Sequence, residues 1–360
     1  MNLRVQSVFS RQPMGNRRIV ILTEGYTNPS RAKTAAGVLR YAGDDVVAVL
    51  DSAEAGQTAQ ALLNAGGDTP IVASVKEVTQ ANTLMIGVAP TGGKLPPPMR
   101  RHVLEAIQYG WTIESGLHDF LCEDEEFAAA ARESGAVLKD FRKNSERDVA
   151  MRQGLRAECL RLHTVGHDCS VGKMATAIEL ARGLSAANVD AKFVATGQTG
   201  MMIEGGGLPI DAVVGDFISG ATEKLVLENQ NHEAVVVEGQ GSITHPCYAA
   251  VTLGLLHGCA PHGVVYCYEM GRTNIHGLEH VALPTLADSI ELVLANAVPP
   301  CQLIGIAING RNASDAEYAK EKERMAGVHG VPAVDVYREG AGDLVKAALA
   351  LMEAGCGTAA

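Results

Sequence analysis

The stretch from Leu160 to Ala177 constrains the fold more than any other part of the sequence. Leu160 to Val165 is a short apolar run that predicts a buried parallel strand, and from Met174 onward apolar residues recur at helical spacing. A glycine-bounded loop lies between them, from Gly166 to Gly172-Lys173. This order of strand, loop, Gly-Lys and helix is typical of a phosphate-binding loop (P-loop), in which backbone N–H groups and a lysine hold a phosphate chain.

Two departures from the common P-loop pattern bear on its chemistry. Five residues separate Gly166 from Gly172, whereas the common pattern has about four. Met174 stands where a Ser or Thr hydroxyl normally binds Mg²⁺, and a thioether is a poor ligand for a cation that prefers oxygen. The sequence therefore favours binding of a phosphorylated cofactor over hydrolysis of a nucleotide. An ordinary strand-to-helix turn is the alternative interpretation.

Size and composition exclude several classes of protein. The 360 residues suffice for two domains with full cores, and the net charge of -11 without a basic cluster argues against nucleic acid as a partner. No apolar run approaches the ~20 residues that span a bilayer, and the first 18 residues lack the apolar core of a signal peptide. The eight cysteines form no CxxC pair. We therefore expect a reduced, cytoplasmic protein without a membrane segment or a structural zinc.

Residues 1–148 are predicted to form a first domain, in which apolar runs typical of strands alternate with helical patterns. This alternation indicates an α/β fold with a doubly wound parallel sheet, whose ligands bind at the carboxyl ends of the strands. Two loops at those ends contain glycines and cations, and one leads to Lys94 and Arg101 as candidate ligands for a carboxylate or phosphate. Solvated loops with surface cations are the alternative. Neither loop has the GxGxxG pattern, so a nicotinamide cofactor is not supported.

Residues 155–360 are predicted to form a second α/β domain, which the P-loop strand and helix open. A later apolar run ends at Glu238, and we expect this strand to lie beside the P-loop strand. There Glu238 is a candidate general base or a ligand for metal-bound water; a carboxylate that only binds loop amides is the alternative. His245 and Asp216 are further candidates for the base. Ser219 is expected to cap a helix that begins near Ala221.

Three residues near the ends of later strands are candidates for ligand recognition. Asn309 follows an apolar strand, and its amide both donates and accepts, as recognition of a base edge requires. Asp335 is a candidate partner for the same ring or for ribose, although Asn and Asp also favour turns. Arg272 is placed to meet a carboxylate, or is an ordinary surface arginine.

The motifs in the second domain resemble those of dethiobiotin synthetases. GHDCSVGKMA is similar to their five-residue-spaced loop GTDTEVGKT, VVVEGQGS to their VEGAGG strand end, and the asparagine after IGIAI to their adenine-side asparagine. In that family the Thr after the lysine binds Mg²⁺, and here that position is Met174.

The whole chain is similar to a second family, in which an N-terminal Rossmann-like domain precedes a P-loop domain and which was long described only as a domain of unknown function. The segments that carry this resemblance are RAKTAAGVLRY, APTGGKLPP, DCSVGKMATAIEL, ATGQTG, VVGDFISGATE, VEGQGSITHP and AVDVYREG. Members include D-glutamate N-acetyltransferases, so the resemblance implies transfer of the acetyl group of acetyl-CoA to D-glutamate or a similar acidic amino acid.

The resemblance and the motifs together assign candidate roles. We expect the P-loop to hold the phosphates of coenzyme A without a metal ion. The predicted cofactor-binding residues are Gly166, His167, Asp168, Cys169, Ser170, Val171, Gly172, Lys173, Met174, Ala175, Gln198, Asn309 and Asp335. The predicted substrate-binding residues are Lys94, Arg101, Arg272, Gln240 and Ser242, and the candidate catalytic residues are Glu238, His245 and Asp216.

Two other functions stay open at this point. One is an ATP- and Mg²⁺-dependent ligase or kinase of the dethiobiotin synthetase type, which Asn309 and Glu238 favour. The other is a nucleotide-binding regulatory protein without turnover. We also expect a homo-oligomer, because cytosolic α/β enzymes often form one.

Overall fold

The computed structural model describes residues 17–90 and 92–355, which form two compact units. The first unit takes in the described residues up to Asn144 together with Gln198–Ala212, and the second takes in Ser145–Gly197 together with the residues from Val213 onward. The N-terminal stretch without a signal-peptide pattern lies almost wholly outside the described residues, as does Cys356.

The first unit is built on a six-stranded parallel sheet in the order β3-β2-β1-β4-β5-β6. Its strands are β1 Ile19–Leu22, β2 Val46–Leu50, β3 Ile71–Val72, β4 Thr83–Ile86, β5 Thr112–Ser115 and β6 Val137–Asp140. The helices between them are α1 Lys33–Tyr41, α2 Ala59–Leu63, α3 Arg100–Gln108 and α4 Glu125–Ser134. The chain first adds strands on one side of β1 (β2 and β3) and then on the other side (β4 to β6). The predicted doubly wound α/β fold is therefore confirmed.

The ends of the helices follow ordinary capping rules. Asp124 caps α4 by accepting the amide of Phe127, and Gly135 ends the same helix in the left-handed conformation. Thr58 caps α2 in the same way as Asp124 caps α4, by accepting the amide of Ala61. These short polar residues and the glycine are the signals by which the sequence alone locates the helices.

The second unit has a six-stranded parallel sheet in the order β14-β13-β10-β7-β9-β8. Its strands, together with a two-stranded antiparallel hairpin of β11 and β12, are β7 Leu160–Gly166, β8 Ala191–Val194, β9 Ala234–Val237, β10 Gly263–Glu269, β11 Asn274–Ile275, β12 Leu278–Ala282, β13 Gln302–Asn309 and β14 Ala333–Val334. The remaining helices of the chain are α5 Lys173–Ala186, α6 Gln198–Glu204, α7 Ile218–Asn229, α8 Ala249–Cys259, α9 Leu286–Ala295, α10 Asp315–His329 and α11 Gly342–Glu353.

Burial fixes the centre of the second sheet. All seven residues of β7 and all seven of β10 are buried. On one face Val165 and Tyr266 pack with Leu256 of α8 and with Ile290 and Val293 of α9. The carboxyl ends of β7 and β10 are thereby held by a continuous apolar core.

One sequence expectation about a helix boundary is wrong. Ser219 does not cap a helix that begins near Ala221, because α7 already begins at Ile218 and Phe217 precedes it as the boundary residue. After β8 ends at Val194, Gln198 begins α6. The segment Gln198–Ala212 then packs with the first unit.

Candidate active site

The P-loop joins the carboxyl end of β7 to the start of α5. Ser170 has a φ of 58° and Gly172 a φ of 111°, so the chain turns twice through the left-handed region before the helix begins at Lys173. Gly172 precedes α5 where a capping side chain would otherwise occupy the first amides. These amides and the positive end of the helix dipole are therefore available to an anion.

Lys173 is the cation of this loop. Its side chain is buried, and its Nζ donates a hydrogen bond to the backbone oxygen of Asp168 at 2.7 Å. Burial lowers the pKa of the ammonium. A phosphate group in the loop would supply the negative charge that this buried ammonium lacks.

Asp168 organises the loop through its carboxylate. It accepts hydrogen bonds from the amide of Cys169 at 2.6 Å, from the amide of His276 at 2.7 Å and from Arg272 at 2.9 Å. Burial opposes ionisation of this carboxyl group, but the hydrogen bonds from the two amides and Arg272 lower its pKa overall. The role of Asp168 in this structure is to fix the loop and the β11–β12 hairpin, which contributes His276.

Arg272 is the predicted substrate cation that the structure places at the P-loop. Besides Asp168, it donates to the backbone oxygen of Cys169 at 2.7 Å and pairs with Glu269, which ends β10. Glu269 also accepts hydrogen bonds from Arg311 at 2.9 Å. Glu269 escaped the sequence analysis, although a carboxylate that ends a buried strand three residues before an arginine was a usable signal.

His245 lies beside the same loop, with its Nε2 3.9 Å from a carboxylate oxygen of Asp168. Its Nδ1 accepts a hydrogen bond from the amide of Cys247 at 3.1 Å, so the neutral imidazole carries its hydrogen on Nε2. That Nε2 is buried and has no hydrogen-bond partner among the described residues. The Nε2–H group of His245 is thus an unused hydrogen-bond donor beside the loop. This arrangement favours donation to a bound ligand over a role as a general base.

Glu238 follows β9, which pairs with the P-loop strand β7, as predicted. One carboxylate oxygen accepts the amides of Thr196 at 3.0 Å and Gly197 at 3.1 Å, and the other accepts from Gln240 Nε2 at 3.0 Å. Burial raises the pKa of Glu238 to about 7 in spite of these hydrogen bonds. A carboxyl group with that pKa can both take up and release a proton near neutral pH.

Gly239 brings the two strand ends together. Its amide donates to Thr164 Oγ1 at 3.0 Å, and a Cβ at this position would lie 1.7 Å from the backbone oxygen of Thr164. Only glycine permits this approach. Ser242, four residues after Glu238, donates to the backbone oxygen of His167 at 3.0 Å, and so supports the loop from the same side.

A narrow cleft joins the P-loop to the predicted base-recognition residues. It is lined by the start of α5 with Gly172, and by Asn309 and Asp335 at the ends of β13 and β14. Asp335 accepts the amides of Gly310 and Tyr337, each at 3.0 Å. The amide oxygen of Asn309 accepts the amide of Arg311 at 3.3 Å. The structure therefore brings Asn309 and Asp335 to the P-loop, although both side chains already have backbone partners.

Four other predicted site residues are not among these contacts. Gln198, Lys94 and Arg101 belong to the first unit, where Arg101 pairs with Glu24 at 2.8 Å and Lys94 is exposed. Asp216 is exposed in the turn before α7. The roles proposed for these residues stay predictions.

Asp168, Cys169 and His245 offer one oxygen, one sulfur and one nitrogen atom within 4.8 Å of one another, a set that suits a metal ion. The carboxylate in this set is already engaged by two amides and Arg272. That the site works without a metal stays a prediction.

None of the described helices has the length and apolar character needed to cross a membrane.

Both units match described families. Residues 52–144 match the Rossmann-like domain DUF1611_N and residues 147–345 the P-loop domain DUF1611_C, each described as a domain of unknown function. A D-glutamate N-acetyltransferase of Pseudoalteromonas sp. is 40% identical over 268 residues, which is 74% of this chain and 80% of that protein. A D-glutamate N-acetyltransferase of Tritonibacter scottomollicae is 35% identical over 323 residues, 89% of this chain and 95% of that protein.

A solved structure gives the same result for the fold. The crystal structure of a DUF1611 family protein from Anabaena variabilis is 33% identical, with a TM-score of 0.87 over 93% of this chain and 99% of that one. The matches cover both units and most of the length of each relative. This chain therefore belongs to the DUF1611 family, whose members join a Rossmann-like domain to a P-loop domain.

Proposed function

We propose that this protein moves the acetyl group of acetyl-CoA to the amine of D-glutamate, or of a similar acidic amino acid, with the P-loop holding the phosphates of coenzyme A. The two D-glutamate N-acetyltransferases at 40% and 35% identity support N-acetyl transfer as the type of reaction. The donor and the roles of individual residues are part of the proposal.

The observation that carries the proposal is the buried carboxyl group of Glu238, whose pKa burial raises to about 7. An ammonium group must lose a proton before it can attack a thioester, and a base whose pKa lies near the working pH removes it well. Glu238 lies beside the P-loop strand, since β9 pairs with β7.

The proposed reaction balances with this one base. The amine nitrogen attacks the thioester carbon, a C–N bond forms, and the C–S bond breaks with departure of the thiolate. Glu238 first takes one proton from the substrate ammonium and releases it to water. After the attack it takes the second proton from the nitrogen and passes it to the thiolate sulfur, so the overall reaction releases one proton. His245 presents an Nε2–H without a partner among the described residues, and in this proposal it donates to the thioester oxygen, where negative charge develops.

The P-loop has the donors that a diphosphate requires. The amides at the start of α5 and the buried ammonium of Lys173 suit the two phosphates, and Met174 leaves the usual Mg²⁺ position without an oxygen ligand. Asn309 and Asp335, which line the adjoining narrow cleft, are assigned to the adenosine part of coenzyme A. Arg272 already pairs with two carboxylates, so we assign it to supporting the loop rather than to holding the acceptor.

One assay separates the proposal from ATP-dependent ligation. The full chain receives D-glutamate with acetyl-CoA, and in parallel D-glutamate with ATP and Mg²⁺, and released thiol and ADP are followed. We expect thiol release that depends on D-glutamate and that exceeds release with L-glutamate. Addition of a chelator should leave the rate unchanged.

Two results would contradict this function. ADP release that depends on the amino acid would assign the chain to the ligases, and binding of nucleotide without any turnover would favour a regulatory protein. Loss of thiol release in the chelator would instead point to the oxygen, sulfur and nitrogen donors of Asp168, Cys169 and His245 as a metal site.

A further inference from the structure

The first unit contains an open cleft of about 600 Å³. It lies where the loops after β2 and β3 meet helix α3, and it is lined among others by Ser52, Ser74, Arg101, His102 and Glu105. The carboxyl ends of parallel strands are the usual place for a ligand in such a sheet, and this volume is typical of small-molecule sites.

The crevice where β1 and β4 diverge, which is the commonest ligand position in this type of sheet, is filled. Gln198 of α6 extends its amide to the backbone oxygen of Val88 at 3.4 Å, after β4, and to Thr34 Oγ1 at 3.5 Å, in α1. A Cβ at Gly116, after β5, would lie 2.2 Å from the side chain of Gln198. A ligand of the first unit is therefore displaced toward the β2 and β3 side, where the cleft lies.

Arg101 is held by three hydrogen bonds at the edge of this cleft. Its Nη2 donates to Glu24 at 2.8 Å and to Ser52 Oγ at 3.1 Å, and its Nε donates to Nε2 of His102 at 3.1 Å. Its side chain is nevertheless 65% exposed, and among the described residues its Nη1 has no hydrogen-bond partner. A guanidinium fixed on one side and open on the other is preorganised to bind an anion.

His102 adds a second donor. Nε2 of His102 lies 3.1 Å from Nε of Arg101, which can only donate, and 3.3 Å from a carboxylate oxygen of Glu24. In the neutral tautomer whose Nε2 accepts from Arg101, the ring carries its hydrogen on Nδ1. Burial lowers the pKa of His102, which keeps the ring neutral. The side chain is 4% exposed, and within the described part of the chain Nδ1 has no partner. In this tautomer Nδ1 is a buried donor beside the cleft, and an acceptor on a bound ligand would satisfy it.

The remaining charges define the class of ligand. Arg101 neutralises the carboxylate of Glu24. Burial raises the pKa of Glu24, but hydrogen bonds from Ser52 outweigh this effect and lower the pKa overall. Glu105 pairs with Lys76 at 3.0 Å and stands one turn along α3 from Arg101. The cleft is thus lined by a carboxylate as well as by donors, which suits a small acid better than a polyphosphate.

We propose that this cleft binds a small carboxylate ligand of amino-acid size, with the guanidinium of Arg101 and Nδ1 of His102 as its donors. Binding there does not require the acetyl-transfer reaction proposed above. Glu105 allows the ligand to carry an amine as well.

The test is titration calorimetry on the full chain with glutarate, which has two carboxylates and no amine to acetylate, and in parallel with D-glutamate and inorganic phosphate. We expect one of the two acids to bind more tightly than phosphate. Arg101→Gln should weaken that binding at least about tenfold, because a charge-assisted hydrogen bond is lost. Arg132→Gln, which removes an exposed arginine of α4 in the same unit, should leave it unchanged.

Two further variants keep the result interpretable. Arg101→Lys keeps the positive charge but loses the forked donors of the guanidinium. We expect it to weaken binding of the acid by an intermediate amount, which can be measured even if Arg101→Gln folds poorly. Lys173→Met alters the P-loop and should bind the acid as the unaltered chain does. Equal affinity of the acid for both Arg101 variants and for the unaltered chain would overturn the proposal. Loss of acid binding in Lys173→Met would also overturn it. So would tighter binding of phosphate than of the acids, or absence of binding by both acids. Failure of acetyl transfer alone would leave it standing.

Discussion

The two parallel sheets of this protein differ in which strand lies beside the first one. In the first unit β2 pairs directly with β1, whereas in the second unit β9 is inserted between β7 and β8. The insertion places the end of β9, with Glu238, against the end of β7, from which the P-loop departs. In the first unit the corresponding crevice beside β1 holds Gln198 instead. Strand order therefore decides where two polar strand ends meet, and so which strand ends can together form a site.

The largest expected effect concerns the carboxylate of Glu238, which the insertion of β9 places beside the end of β7. Glu238→Gln keeps the size of the side chain, and its amide can satisfy Thr196, Gly197 and a turned Gln240. We expect kcat for acetyl transfer to fall by about 10²- to 10⁴-fold, the usual contribution of a general base, with little change in KM. Steady-state kinetics measures both.

Glu179→Gln, on the P-loop helix α5, is the matched control and should keep its rate. A Glu238→Gln variant that is as fast as its parent would mean that the insertion of β9 serves the fold alone.

The next effect concerns the contact between β9 and β7. Gly239→Ala forces a Cβ to within 1.7 Å of the Thr164 oxygen, and we expect a loss of about 3 kcal/mol in the free energy of unfolding from overpacking. Gly327→Ala on α10 is the control: no described atom lies within 4 Å of its added Cβ, and helix propensity predicts a gain of about 0.5–1 kcal/mol. Denaturant unfolding measures both, and equal stability of the two variants would show that the strand ends do not meet this closely.

Lys173→Met tests what the P-loop holds. Coenzyme A should bind about 10- to 100-fold more weakly, since a charge-assisted hydrogen bond to a phosphate is lost. The melting temperature should stay or rise, because a buried ammonium is removed. Lys320→Met, exposed on α10, should change neither. Calorimetric affinity that is unchanged in Lys173→Met would place the cofactor phosphates elsewhere.

The smallest effect is the pH dependence. Because burial raises the pKa of Glu238 to about 7, the group is protonated below that pH and cannot accept a proton from the amine. We expect kcat to rise with pH up to about 7, about tenfold per unit in the acid limb, and then to level off. In Glu238→Gln this step should vanish, and a profile that kept the step would assign it to another group.

Much of this arrangement is readable in the sequence, because it depends on local pattern. The P-loop strand, the position of Glu238 beside it and the α/β class follow from apolar runs, glycines and the order of elements. The destination of Gln198–Ala212 does not follow, since periodicity says nothing about which unit a segment packs against. The hydrogen on Nε2 of His245 and the pairing of Arg272 with Asp168 also depend on side-chain contacts that residue spacing cannot specify.

The placement of Gln198–Ala212 has a consequence for synthesis of the chain. The first unit includes Gln198–Ala212, which the ribosome makes only after the P-loop strand and helix. This unit therefore cannot be completed when only the residues up to Asn144 have been synthesised. Part of its crevice stays open during translation until Gln198 arrives. A fragment that stops at Asn144 would accordingly carry an exposed gap at Gly116, and would be expected to need a substitute for the absent helix.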